Sequence, residues 1–266
     1  MKINLGPAGS PAKSTLEGIK ETKRLGLQAM EVEFVRGVKM SNPLAKECGA
    51  EAKKLGIELS VHAPYYINLA SEDPKKQKES VQRILDSCER GHYLGAREIV
   101  FHPAYFGKGD KEKVFQATKN HILDMMETIH KRGWNITLSP ETTGKHSALG
   151  SLDETIMLVK ETGCSFNLDF AHLYARNYGK INYKEILDKL QILKSKHIQC
   201  HFSNISYTSK GESNHEVMNS HPPFEPLAKE ILERKLNITI ISESPVTWRD
   251  SLKMKGIFER LGYRFD

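Results

Sequence analysis

Cysteine is scarce in this chain and follows no metal-binding or disulfide pattern. The four thiols, Cys48, Cys88, Cys164 and Cys200, are 40, 76 and 36 residues apart. With no CxxC spacing, a thiolate zinc site is excluded and a disulfide framework is not expected at this size. Also missing is any stretch of about 18 uncharged apolar residues, so no membrane-spanning helix is expected. The amino terminus, MKINLGPAG, opens on a strand-like run and lacks the apolar core of a secretion signal, which makes a cytoplasmic protein the expectation. No linker, low-complexity tract or shift in composition divides the 266 residues. One domain spanning residues 1–266 is therefore expected, a length suited to a single closed barrel. The charge balance is basic: 39 Lys and Arg against 33 Asp and Glu give a net charge of +6 and an isoelectric point near 9.0. Such a balance suits an anionic partner such as nucleic acid, although many soluble enzymes are mildly basic.

Apolar runs alternate with amphipathic stretches along the whole chain. INLG (3–6), AMEVEFV (29–35), IELSV (57–61), REIVF (97–101), NITL (135–138), CSFNL (164–168), HIQCHF (197–202) and LNITIIS (236–242) read as strands. Each is followed by a segment with apolar residues at helical spacing, as at Val81, Ile84, Leu85 and Cys88. Gly26, Gly56, Gly95, Gly133 and Gly163 stand just before the next strand, where a helix must turn back through a left-handed residue. Short, continuous, β-branched runs are those of a parallel sheet covered on both faces. Eight strand–helix units predict an α/β fold, a single (β/α)8 TIM barrel.

Six of the eight runs carry a histidine or a carboxylate at or just past their carboxyl-terminal end: His62, His102, Glu141, Asp169, His201 and Glu243. They are separated by 40, 39, 28, 32 and 42 residues, about one strand–helix repeat each. In such a barrel the strand ends and the loops after them build the active site. His172 lies three residues after Asp169, and Glu212 and His215 lie in the segment after the seventh run. The tally is five imidazoles and four carboxylates, a donor set that suits zinc, with manganese or iron as alternatives. Nine donors exceed the needs of one ion, so two or three ions with bridging carboxylates are expected. Clustered ions activate water and clamp both oxygens of a phosphodiester displacement, so no separate side-chain base is required. The remaining histidines (92, 121, 130, 146, 197 and 221) read as structural or solvated.

At these residues the chain resembles the endonuclease IV family of apurinic/apyrimidinic endonucleases, within the xylose-isomerase-like barrels. VHAPYYINLAS, FHPAYFG, PETTG, LDFAHLYA, CHFSN, GESNH and ISESP carry the likeness over nearly the whole length. The resemblance implies one zinc on His62, His102 and Glu141. It implies a second, bridged by Glu141, on Asp169, His201 and Glu243, and a third on His172, His215 and an acidic residue. The family places that acid two residues before the histidine, where this chain has Ser213; Glu212, one step earlier, is the substitute. Other departures are Thr142-Thr143-Gly144 after the strand-five glutamate, where the family has Asn-Thr, and His201-Phe202-Ser203-Asn204 in place of His-Leu-Asn-Asp.

The resemblance further implies a monomeric enzyme that cuts damaged double-stranded DNA 5′ to abasic sites, with Glu141 and Glu243 as the catalytic carboxylates. Arg36, Tyr65 and Tyr66 occupy the positions from which the family inserts side chains into the duplex. A tyrosine pair beside the metals would stack in the gap left by a missing base, though it would equally pack beneath its loop. Lys39, Lys108, Lys145 and Lys210 near the rim are candidate phosphate contacts. The rival reading is a sugar isomerase or epimerase of the same superfamily, acting on a small sugar with one ion on Glu141, Asp169, His201 and Glu243. It leaves His62, His102, His172 and His215 without a task. A catalytically weak metal-binding barrel is the third reading, should Glu212 not complete its site.

Overall fold

Alternation along eight short parallel strands sets what faces the barrel axis and what faces the helices. In the computed structural model, which describes residues 1–265, the strands are β1 (Ile3–Pro7), β2 (Ala29–Glu33), β3 (Glu58–His62), β4 (Glu98–Phe101), β5 (Thr137–Pro140), β6 (Asn167–Asp169), β7 (Ile198–Phe202) and β8 (Ile238–Ser242). Each stands at one of the eight apolar runs. Between and after them lie α1 (Thr15–Arg24), α2 (Asn42–Leu55), α3 (Pro74–Leu94), α4 (Lys111–Lys131), α5 (Leu152–Thr162), α6 (Phe170–Arg176), α7 (Tyr183–Leu190), α8 (Phe224–Glu233) and α9 (Trp248–Arg260). Side chains of Ser14, Ser41, Asp73, Asp110, Ser151 and Asn182 cap helix amino termini. Gly56, Gly95 and Gly163 close helices in the left-handed conformation.

Strands β2 to β5 form one continuous parallel ladder and β6, β7, β8 and β1 another. Single parallel bridges, Ala8 with Glu31 and Glu141 with Asn167, join the two ladders at both seams. Main-chain bonds from Gln28 N–H to the Leu5 carbonyl and from Ser165 N–H to the Leu138 carbonyl reinforce them. The ring is thereby closed, and the fold is a (β/α)8 TIM barrel.

Outward residues of β2 to β5 (Met30, Val32, Leu59, Val61, Ile99, Leu138) pack with Cys48, Ile84 and Ile122 of the surrounding helices. Outward residues of the other half (Ile3, Leu5, Leu168, Phe202, Ile240) pack with Leu187, Leu227 and Phe258. All four cysteines are buried and free. The barrel axis differs from what short β-branched runs suggest: much of it is polar. Gln199 of β7 donates to Ser60 of β3 at 3.1 Å, and Ser60 donates to Glu31 of β2 at 2.6 Å. Asn4 donates to Thr239 at 3.2 Å, while Glu98 accepts from Ser139 and Ser165. These buried polar side chains are tolerated because each finds a partner on a neighbouring strand or, for Gln199 and Ser60, across the ring.

Past β7 the sequence suggests a long loop, but the structure forms an antiparallel hairpin, Asn204–Thr208 against Gly211–Glu216. Its strands are polar and short, so no apolar run announces them. A two-residue-by-two-residue ladder, Ala104–Tyr105 with Ala148–Leu149, ties the loops after β4 and β5.

Burial pushes the Glu98 carboxyl up to about 7, against the opposing effect of its two serine donors and Arg97. The folded protein therefore holds this proton more tightly than the unfolded chain. The associated stability is full below the ordinary glutamate range and is lost as pH rises through 7. Urea unfolding at pH 5 and pH 8 should show a loss of roughly 2–3 kcal/mol from this group, and Glu98→Gln should flatten that part of the slope. An identical slope in the variant would show that Glu98 is not its source.

Candidate metal centre

At the carboxyl-terminal mouth, inward positions at the strand ends put imidazoles and carboxylates against one another. His62 closes β3, His102 and Glu141 follow β4 and β5, Asp169 closes β6, His201 lies in β7 and Glu243 follows β8. Asp169 is also the cap of α6: its Oδ1 accepts the His172 main-chain N–H at 2.7 Å. That cap places His172 one turn on, over the same mouth. The hairpin after β7 brings Glu212 and His215 in from the side.

Donor atoms fall into overlapping groups, each within 4.8 Å mutually: His62, His102 and Glu141; Glu141, Asp169, His201 and Glu243; and Asp169, His172, His215 and Glu243. Glu141 belongs to the first two groups, and Asp169 and Glu243 to the last two. All nine residues singled out from sequence meet around this mouth, but Glu212 is outside the three groups. Its Oε2 accepts the Gly144 N–H at 2.8 Å and stands 3.2 Å from His172 Nε2, with Lys145 at 3.7 Å from Oε1. A Cβ on Gly144 would fall 2.4 Å from that carboxylate oxygen, so the glycine of PETTG is what lets Glu212 dock.

The imidazole contacts have a common logic. His62 Nδ1 lies 2.8 Å from the Ala63 carbonyl, His172 Nδ1 3.0 Å from the Thr142 carbonyl, and His215 Nδ1 2.6 Å from Ser203 Oγ. With Nδ1 engaged at those oxygens, Nε2 of all three rings turns toward the mouth, where it meets Glu141 from His62, Glu212 from His172 and Glu243 from His215. His102 also turns Nε2 inward, 3.0 Å from Glu141 Oε2. His201 is reversed: Nδ1 lies 2.8 Å from Glu141 Oε1 and 3.3 Å from Glu243 Oε1, while Nε2 lies 2.8 Å from Glu31 Oε1. The Glu31 contact is a charge contact off hydrogen-bond alignment.

Charge is concentrated here. Burial alone would lower the His62 and His172 pKa values. Instead the Glu141 bond and the Glu33 charge raise His62 to about 10, and Asp169 and Glu212 raise His172 to about 9. Burial raises Asp169 to about 8, although His172 opposes it. Asp169 Oδ2 is buried without a hydrogen-bond partner. A buried carboxylate oxygen with no donor, ringed by imidazoles whose other nitrogen is already engaged, fits divalent cations with N/O preference.

Tyr65 lines the same cavity, of about 470 Å³, with His102, His172 and Lys145. Its ring centroid is 5.9 Å from that of His62 and the residue is 51% exposed, so it does not pack beneath its loop. Tyr66 is 69% exposed but outside the cavity lining, and Arg36 lines a separate groove with Lys39. Lys108 and Lys210 are exposed. Sequence reasoning missed Val35 and Tyr105, which also line the cavity, and the carboxylates Glu31 and Glu33. The signal for the latter was present: two glutamates at alternate positions inside AMEVEFV share the inward face of one strand. Arg176, also missed, donates to the carbonyls of Thr143, Lys145 and Ala148 and so clamps the loop after Glu141. Of the histidines set aside, His92 accepts the Asn135 N–H, and His146 stacks on Tyr178.

The profile of the xylose isomerase-like TIM barrel family matches residues 19–256. An uncharacterized protein of Methanocaldococcus jannaschii is 33% identical over 96% of this chain and 97% of its own. A probable endonuclease 4 of Mycoplasma mobile is 26% identical over 70% of this chain and 68% of its own. Among solved structures, endonuclease IV from Thermus thermophilus superposes with a TM-score of 0.74 at 20% identity, covering 98% of each chain. A D-tagatose 3-epimerase-like protein superposes equally well, at 0.75 and 20% identity over 98% and 96%. These two likenesses concern the fold and do not choose between chemistries.

Raised imidazole pKa values mean that a metal must displace protons, so affinity should rise with pH and zinc uptake at pH 7 should release protons. Calorimetry in buffers of different ionisation heat measures that release. Glu31→Gln, by loosening His201, should weaken zinc affinity about 10–100-fold in competition with a chelating dye. Unchanged affinity would remove Glu31 from the support of the centre.

Proposed function

From the premise that this chain belongs to the xylose isomerase-like TIM barrel family, we propose that it is a metal-dependent endonuclease, hydrolysing the DNA phosphodiester 5′ to abasic sites in base excision repair. One observation carries the reading: the mouth gathers more donors than one ion takes, in three groups that share Glu141, Asp169 and Glu243. The sugar isomerase alternative needs only the second group. It leaves His62, His102, His172 and His215 idle, yet three of these rings have Nδ1 anchored so that Nε2 faces the mouth.

His62, His102 and Glu141 would hold one ion, Glu141, Asp169, His201 and Glu243 a second, and His172 and His215 with Asp169, Glu243 or the nearby Glu212 a third. When bound, zinc or a similar divalent ion supplies positive charge for the phosphate oxygens and lowers the pKa of a water nucleophile. Glu141, shared by two groups and fully buried, fixes their spacing. Glu243 reaches the cavity surface and there orients the attacking water. Tyr65 and Tyr105 at the cavity wall, with Tyr66 beyond it, offer aromatic faces to the gap where a base is missing. Lys145 at the wall and Arg36 in the adjoining groove contact the backbone phosphates, and the net charge of +6 favours a polyanion. An abasic nucleotide is extruded at less cost in stacking and pairing than an intact one.

A duplex with one abasic site should be cut on its 5′ side, with two or three zinc ions per chain by elemental analysis. Glu141→Gln should lower kcat/KM about 10³-fold or more, having lost the shared donor. One ion per chain, together with conversion of ketose sugars and an uncut duplex, would replace this reading by the isomerase.

A further inference from the structure

One side chain gathers three main-chain carbonyls of the loop between β5 and α5. Arg176, at the end of α6, donates to the carbonyls of Thr143 at 3.1 Å, Lys145 at 2.8 Å and Ala148 at 3.2 Å, and to Thr143 Oγ1 at 3.2 Å. Its side chain is only 11% exposed and lies 3.7 Å from Glu154, whose carboxylate accepts the Gly150 and Ser151 N–H groups. A guanidinium suits this task because its planar fork presents five donors at fixed angles. A cavity of about 310 Å³, lined by His146, Ser151, Asp153, Arg176 and Asn182, lies between the loop and the start of α7. On that side the loop is held by Arg176 rather than by packed side chains.

The same short helix holds the loop at a second point. His172, one turn before Arg176, sets Nδ1 3.0 Å from the Thr142 carbonyl. Within the stretch so anchored stand Gly144, whose N–H holds Glu212, and Lys145. Lys145 lines the main cavity with His102, His172 and Tyr105. Its ammonium makes no hydrogen bond among the described residues, and its one ion pair there, with Glu212, spans 3.7 Å. Its N–H donors are thereby left for an anion in the cavity. A lysine stem is flexible, so where the ammonium reaches depends on where the backbone is pinned. Here the Lys145 carbonyl accepts from Arg176 and from the Ala148 N–H.

We propose that Arg176 is a positioning residue: by holding residues 143–148 it aims Lys145 at a substrate phosphate in the metal-lined cavity. The role given to Lys145 rests on the nuclease reading above, whereas the clamp stands on the contacts alone. Arg176 does not touch substrate, since its donors are spent on the loop. Without the guanidinium three carbonyls lose a donor, the loop shifts toward the cavity behind it, and Lys145 withdraws from the mouth. Imidazoles near the loop are fixed independently, His172 at Thr142 and His215 at Ser203, so the metal donors stay in place.

The experiment uses zinc-loaded protein and an abasic duplex, with Arg176→Ala, Arg176→Lys, Lys145→Ala and Arg176→Ala combined with Lys145→Ala. Initial rates give kcat and KM between about 50 and 200 mM salt, and amide hydrogen exchange is followed over residues 143–148. Losing one phosphate contact makes the slope of log kcat/KM against log salt shallower by about one. Lys145→Ala should show that change, through KM and with kcat little altered. Arg176→Ala should reproduce it although Arg176 meets no phosphate, the double variant should go no further, and exchange should quicken across the loop. Arg176→Lys, which keeps the charge but not the fork, should fall between wild type and Arg176→Ala. An unchanged slope in Arg176→Ala overturns the assignment, as do additive losses in the double variant or unchanged exchange. A variant that loses kcat while keeping the slope would make Arg176 merely structural, which also overturns it. Wild type that cuts no abasic duplex overturns the nuclease reading and the phosphate role of Lys145 with it, while the exchange rates still decide the clamp.

Discussion

Two single bridges, Ala8 with Glu31 and Glu141 with Asn167, carry the ring of strands across its two seams, and the geometry of the centre runs through them. Donors from β3 and β4 can meet donors from β7 and β8 only if both seams hold. The seam residues are themselves part of the site. Glu141 is shared by two donor groups and accepts from Asn167 Nδ2 across its seam at 3.2 Å. Glu31, at the other seam, stands behind His201. Where the ladder is thinnest, side chains that serve the centre also hold the barrel shut.

The second constraint is electrostatic. Glu31, Glu141 and Asp169 are fully buried and Glu243 nearly so. Several uncompensated charges at such depth would each cost several kcal/mol. Imidazoles offset them, which is why the His62 and His172 pKa values rise against the pull of burial. The polar axis below the mouth belongs to the same arrangement. The chain from Gln199 through Ser60 to Glu31 gives the supporting carboxylate its own donor, and so transmits rigidity from the barrel to His201.

How much could be read in advance follows from where each residue sits relative to a strand. His62, His102, Glu141, Asp169, His201 and Glu243 were legible because each stands at or just past the end of an apolar run, and a polar residue there breaks a visible pattern. Glu31 and Glu33 were overlooked because they lie inside a run, where a barrel-facing position looks like an interruption of a hydrophobic strand. Glu212 and His215 were found by their residue types, but the hairpin that delivers them was not. Its polar strands form because they can dock on α6 and on the loop that Arg176 clamps, contacts that local sequence does not encode. Tyr65 and Tyr66 were read as a pair, yet one enters the cavity wall and the other does not, since neighbouring residues in an exposed turn point different ways.

Local chemistry in the sequence, through the period of its apolar runs and the residues near their ends, was enough to determine eight strand–helix units, the closed-barrel class and nine polar side chains that meet around its mouth. Short-range propensity and patterning carry that information because each depends on neighbours within a few positions. Tertiary structure alone decided which nitrogen of each imidazole faces inward, which carboxylates are shared, and that Arg176 meets three carbonyls of one loop. Those properties depend on distances between groups up to about 200 residues apart, such as Glu33 and Glu243. Such distances exist only once the ring has closed.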